Sequence, residues 1–126
     1  MILGVVGSST PRRRAIAAGL IQQWRPERSL ILGRTGLGAA VWETSDSLQI
    51  PVTSFYPDPN RFRDPVSWEI AGEQLLVVGK PDLVVCLEPS SLQTVALQRM
   101  AKLGAKLVVG RQDSPAASVR WSTWPG

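Results

Sequence analysis

Leu30-Ile31-Leu32-Gly33-Arg34-Thr35-Gly36-Leu37-Gly38-Ala39-Ala40-Val41 begins as a continuous apolar run, breaks into a glycine-rich turn and resumes with a different apolar period. That pattern reads as a strand, a tight turn and the start of a helix. Three glycines in the six residues 33–38 let the backbone take positive φ and approach a ligand closely, and a helix behind them presents unpaired N–H groups to an anion. The spacing is G-x-x-G-x-G, not the dinucleotide fingerprint G-x-G-x-x-G. No Walker lysine followed by Ser or Thr is present, so phosphate-cradle chemistry is indicated without a nucleotide class.

Working outward, the same strand-turn-helix unit recurs. Ile2–Val6 is a nearly continuous apolar run that reads as a first strand rather than as a signal peptide, having no basic leader or cleavage site. Gly7-Ser8-Ser9 turns the chain. Thr10-Pro11 reads as an N-cap followed by proline at the first helical position, and Ile16, Leu20, Ile21 and Trp24 mark one face of a helix from about Pro11 to Trp24. Its first turn carries Arg12-Arg13-Arg14, where the helix dipole disfavours cations, so an anion bound near the turn is one reason for them and a solvated basic face the other.

After the glycine turn, Leu37, Ala40, Val41, Thr44 and Leu48 define an inward helix face opposite Glu43 and Asp46. Ile50–Tyr56 is strand-like with Pro51 tolerated only at its beginning, and Pro57–Arg63 is the longest irregular segment in the body of the chain. Asp64-Pro65 opens a third helix with Trp68, Ala71, Leu75 and Val78 inward and Gly79 closing it. Asp82–Leu87 is the most apolar run and reads as a central strand. A fourth helix follows, capped by Ser90 or Ser91, with Leu92, Val95, Ala96, Met100 and Leu103 inward and Gly104 as its stop. Lys106–Val109 is the last clear strand, with an edge strand at Ser118–Trp121 in the tail.

The order predicts an α/β fold of about five mostly parallel strands with helices on both faces, over residues 1–110. Residues 111–126 form a C-terminal tail whose tryptophans indicate packing on the domain or on a partner. In such sheets ligands bind at the carboxyl ends of the strands, near the point where strand order reverses. Gly7–Thr10, Gly33–Gly38, Tyr56–Arg63 and Glu88–Ser91 all follow strands and are expected to converge there.

Composition narrows the chemistry. The chain of 126 residues holds no histidine, which excludes Ser-His-Asp and Cys-His catalysis and His-ligated zinc. Neither a metal nor another cofactor is implied. Cys86, the one cysteine, lies inside an apolar run and is expected to be inert and intracellular. No apolar run reaches membrane-spanning length, so a cytoplasmic protein without membrane contact is expected. The net charge of +4 rests on 11 arginines and 3 lysines against 10 acids. Arginine bias favours bidentate contact with phosphate or carboxylate, while so modest a charge does not by itself demand nucleic acid.

Several of these residues resemble the SLOG superfamily (the Smf/DprA and LOG families), and within it the small YspA-like proteins, over about residues 1–109. Gly33-Arg34-Thr35-Gly36 is similar to that group's G-A-R-G core and Phe55-Tyr56-Pro57-Asp58 to its F-P-A-D. Pro81-Asp82-Leu83-Val84 resembles its P-D-L-V entry to the fourth strand, and Pro89 with Thr94 keeps the frame of P-G-G-x-G-T. The resemblance implies a single Rossmann-like domain and a nucleotide-like ligand. Departures fall at Gly38, where an acid would stand, at Glu73 in place of asparagine, and at Ser90, Ser91 and Gln93 in place of glycines. The LOG-type phosphoribohydrolases carry a glutamate shortly after the threonine, whereas Val95-Ala96-Leu97-Gln98 follows here, which argues against that hydrolase activity.

Three readings of function result. In the first, the protein binds a nucleotide or nucleotide-derived molecule through Gly7, Ser8, Ser9, Arg12, Gly33, Arg34, Thr35, Gly36, Asp58, Pro89, Ser90, Ser91 and Thr94. In the second, Glu88 is the nucleophile or base in cleavage of an N-glycosidic bond, with Asp58, Glu69 or Glu73 as the partner acid. In the third, the chain is a single-stranded nucleic-acid-binding module, with the arginines, notably Arg61 and Arg63 around Phe62, on phosphates and an aromatic on bases. A second copy of the chain stays open as a further partner.

Overall fold

The computed structural model describes residues 1–8, 12–112 and 119–124. Ten elements alternate along the chain: β1 (Ile2–Gly7), α1 (Arg13–Trp24), β2 (Arg28–Leu32), α2 (Leu37–Ser47), β3 (Val52–Phe55), α3 (Val66–Val77), β4 (Leu83–Leu87), α4 (Ser91–Lys102), β5 (Leu107–Arg111) and β6 (Arg120–Thr123). They build one six-stranded sheet in the order β3-β2-β1-β4-β5-β6. The first five strands are parallel, and β6 pairs antiparallel with β5, Gly110 opposite Trp121. This is a single α/β domain with helices on both faces, and the apolar runs of β1 and β4 are its central pair, Val5 beside Val85.

Side chains alternate across the strands, so each strand feeds two cores. Leu3, Val5, Ile31, Val85 and Leu87 pack under α1 and α2 with Ile16, Leu20, Leu37 and Val41. Val6, Leu30, Leu32, Val84 and Cys86 pack under α3 and α4 with Leu75, Leu97 and Met100. Each fully buried leucine or isoleucine contributes about 1.5–3 kcal/mol. Burial pushes the Cys86 thiol up to about 12, so it stays neutral and without thiolate character at physiological pH.

Several expectations shift. α1 begins at Arg13 instead of near Pro11, with Arg12 at the N-cap in the left-handed region (φ 62) and making no side-chain cap; the expected cap Thr10 and first-turn Pro11 lie outside the described residues, as does Ser9. α3 begins at Val66, with Pro65 at its N-cap and Asp64 accepting the Ser67 hydroxyl. Leu48, Val78 and Leu103, expected inward, are exposed because each stands at the C-cap of its helix, past the body of the sheet. On α4 the buried stripe is Gln93, Ala96, Leu97 and Met100: Ala96 and Met100 face inward as expected, while Leu92 and Val95 are half-buried and Gln93 and Leu97 take the inner positions. The tail's strand lies at Arg120–Thr123 instead of Ser118–Trp121, and Ser118 is outside the described residues. Trp121 packs edge-on against Trp24 at 5.3 Å and lies over Gly110, where a Cβ would sit 2.7 Å from its ring.

Candidate functional site

Because β1 to β4 are parallel, the turns that leave them lie at one edge of the sheet, and strand order reverses between β1 and β4. At that reversal the β1–α1 turn opens with Gly7 and Ser8. A Cβ on Gly7 would come within 2.7 Å of the Leu87 carbonyl oxygen and 2.8 Å of Leu37 Cδ2, so only glycine lets β1 end this close to β4 and α2. The Ser8 hydroxyl donates to the Glu88 carbonyl, and the Ser8 carbonyl accepts the Leu37 N–H at 3.2 Å. The Gly7 carbonyl accepts Gln93 Nε2 at 3.1 Å. Three turns are thereby joined into one hydrogen-bonded rim.

The β2–α2 turn is built on Gly33 (φ 78) and Gly36 (φ 57, ψ −128), both in conformations that only glycine adopts freely. The Gly33 N–H donates to Phe55 at the end of β3. Among the described residues, no acceptor meets the backbone N–H groups of Arg34, Thr35 or Gly36, and Gly36 gives α2 no side-chain cap. α1 also starts without a side-chain cap or an acid in its first turn. Two adjacent helices thus direct the positive ends of their dipoles at this edge. Arg12 and Arg13 are exposed beside them. Arg14 makes a 3.6 Å ion pair with Glu43 of α2 that is too exposed to contribute much. Arg34 lays its guanidinium 4.0 Å above the Trp42 ring, a cation–π contact that holds it against α2.

The β4–α4 turn differs. Ser90 Oγ accepts the Gln93 N–H at 3.2 Å while Gln93 Oε1 accepts the Ser90 N–H at 2.9 Å, a closed capping box. The Thr94 N–H and hydroxyl both donate to the Ser90 carbonyl. Ser90 and Thr94, expected on the ligand, therefore spend these groups on their own helix, while Ser91 is exposed and Pro89 half-buried. Glu88 is exposed, with its backbone in the left-handed region (φ 46) at the end of the central strand.

The expected partner acids do not gather on Glu88. Glu73 pairs with Arg99 at 3.5 Å across α3 and α4. Asp58 folds its own turn, accepting the Asn60 N–H at 3.1 Å. Glu69 occupies the first turn of α3, where the dipole favours an acid. Among the described residues no cluster of acids and cysteine suited to a metal ion forms. The residue that sequence reading missed at the rim is Gln93, although Ser90-x-x-Gln93 carries the capping-box signature. Away from this edge, where α1 and α2 end, Ile21, Pro26, Leu48 and Ile50 line a shallow apolar groove of about 370 Å³. No described helix is long and apolar enough to cross a membrane.

No known protein family and no curated protein matches this chain. Among solved structures it is similar to phosphoribosylglycinamide formyltransferase (purN) of Coxiella burnetii, in complex with CHES, with TM-score 0.55 and 11% identity over 88% of this chain and 51% of that one. It is also similar to phosphoribosylglycinamide formyltransferase of Bacillus halodurans, with TM-score 0.51 and 15% identity over 88% of this chain and 56% of that one. The chain spans about half the length of these structures. At such identity the likeness concerns the fold, and that fold is Rossmann-like.

Proposed function

We propose that this protein binds a nucleotide or a nucleotide-derived anion at the β1–α1 and β2–α2 turns, its phosphate on the open N–H groups of Arg34–Gly36 and its charge balanced by Arg12 and Arg13. The observation that carries this reading is the pair of neighbouring helix N-termini without side-chain caps, set at the strand-order reversal and flanked by arginines instead of acids. The similarity of Gly33–Gly36 and Phe55–Asp58 to SLOG motifs supports the same ligand class. So does the fold it shares with enzymes named for a phosphoribosyl compound.

Cleavage of an N-glycosidic bond at Glu88 is the weaker reading, because Glu73 is committed to Arg99 and Asp58 to its own turn. Thermal unfolding with a panel of nucleoside mono-, di- and triphosphates tests the proposal. A nucleotide that binds raises the melting temperature of the wild-type protein, and the Arg12/Arg13/Arg14→Ala triple variant loses most of that rise. No shift with any nucleotide, together with steeply salt-dependent binding of labelled single-stranded DNA, would replace this reading with the nucleic-acid one.

A further inference from the structure

Gln93 is a polar side chain, 4% exposed, in the buried stripe of α4. Both ends of its amide are used, and for different purposes. Oε1 accepts the Ser90 N–H and so completes the cap of its own helix, while Nε2 reaches 86 residues back along the chain to the carbonyl of Gly7. Gly7 is the last residue of β1, and Ser8, which follows it, is held from the other side by the Leu37 N–H of α2. A glutamate would cap α4 equally well, since it is the usual partner in this motif. It has no donor for Gly7, and its carboxylate would face a carbonyl oxygen. The choice of an amide is therefore explained by the β1 contact and not by the helix.

We infer that Gln93 is a positioning residue: through Gly7 it fixes the β1–α1 turn against β4 and α4, and so sets the spacing between the first turn of α1 and the open N–H groups of the β2–α2 turn. The inference rests on the phosphate site proposed above, because a ligand that bridges the two turns binds well only when both are held in place. It adds the residue that holds them, which lies outside the ligand-binding set.

Two substitutions separate the two roles. Gln93→Glu keeps the cap and removes the link to Gly7; Ser90→Ala removes the cap and leaves the link. Residue-resolved hydrogen exchange on the full-length protein follows the amides of Leu37, across the turn, and of Gln93, within the cap. In Gln93→Glu, the Leu37 amide exchanges at least about tenfold faster while the Gln93 amide keeps its protection, and ADP, used as the probe, binds about tenfold more weakly. In Ser90→Ala the pattern reverses, with Gln93 deprotected, Leu37 unchanged and ADP affinity retained. Should Gln93→Glu fail to fold, Gln93→Met, which loses both side-chain bonds without adding a charge, is expected to deprotect the amides of Leu37 and Ser90 while the amide of residue 93, held by Ser90 Oγ, keeps its protection. The inference is overturned if Leu37 exchange is the same in wild type, Gln93→Glu and Gln93→Met, or if Ser90→Ala loosens Leu37 as much as they do. If Leu37 responds as stated but the wild-type protein does not bind ADP or any other nucleotide, the positioning role stands and the phosphate reading falls.

Discussion

The N-termini of α2 and α4 stand at the same edge of the sheet, each following a buried parallel strand, yet they are finished in opposite ways. α4 is closed by its own side chains, Ser90 and Gln93 satisfying each other's backbone N–H groups. α2 starts from a glycine that has no side chain to offer, and the N–H groups of Arg34, Thr35 and Gly36 meet no acceptor among the described residues. A helix N-terminus is available to a ligand only where the sequence has not already supplied the acceptor. By that criterion the frame Pro89–Thr94 spends its Ser90 and Thr94 groups on its own helix, which is why the proposal places the ligand at the glycine turn before α2.

The comparison can be broken at the seam between the two regions, which is Gly7. Gly7→Val would push a side chain into the Leu87 carbonyl and Leu37, separating β1 from both neighbours. A loss of stability of about 3 kcal/mol or more, or failure to express in soluble form, is expected and is read from denaturant unfolding. Native-like stability would show that the two turns are not as closely joined as described.

Gly36→Val sharpens the contrast on the α2 side. At φ 57 and ψ −128 a β-branched residue is strained, so about 1–3 kcal/mol is expected to be lost. The thermal shift given by a nucleotide should disappear as well, even when measured well below the melting temperature. On the α4 side Ser90→Ala is expected to cost about 1 kcal/mol and to leave the nucleotide shift intact. A loss of the shift in Ser90→Ala, with retention in Gly36→Val, would exchange the roles of the two helix ends.

Most of the architecture was legible because it rests on local patterns that agree with each other. The apolar runs at Ile2–Val6 and Leu83–Leu87 are the central strands, and of the two serines that could cap α4, Ser90 does so. Three kinds of feature were not legible. The inward face of α4 is legible at Ala96 and Met100 but not at Gln93, because an apolar period skips a buried amide whose acceptor, Gly7, lies far away in sequence. Val78 continues the inward period of α3 yet is 70% exposed, because periodicity does not show where the sheet beneath a helix stops. Gly79 follows the C-cap of α3, as its place in the sequence suggests, but the pattern does not show that space also requires it: a Cβ would lie 2.5 Å from the Leu75 carbonyl oxygen and from Leu30 Cδ1. At the candidate site the same limit applies. Spacing placed Arg34 in the glycine turn but could not place its guanidinium over Trp42, a ring eight residues further on.

The burial of Cys86 has a practical consequence. Its sulfur is shielded and neutral, so the native protein presents no thiol that competes for a maleimide or a nitroxide reagent. A cysteine introduced at exposed Arg13 or Thr35 is then the single addressable position, with no need for a cysteine-free parent. A fluorophore or spin label at either position gives a direct optical or magnetic signal of what enters the edge between α1 and α2.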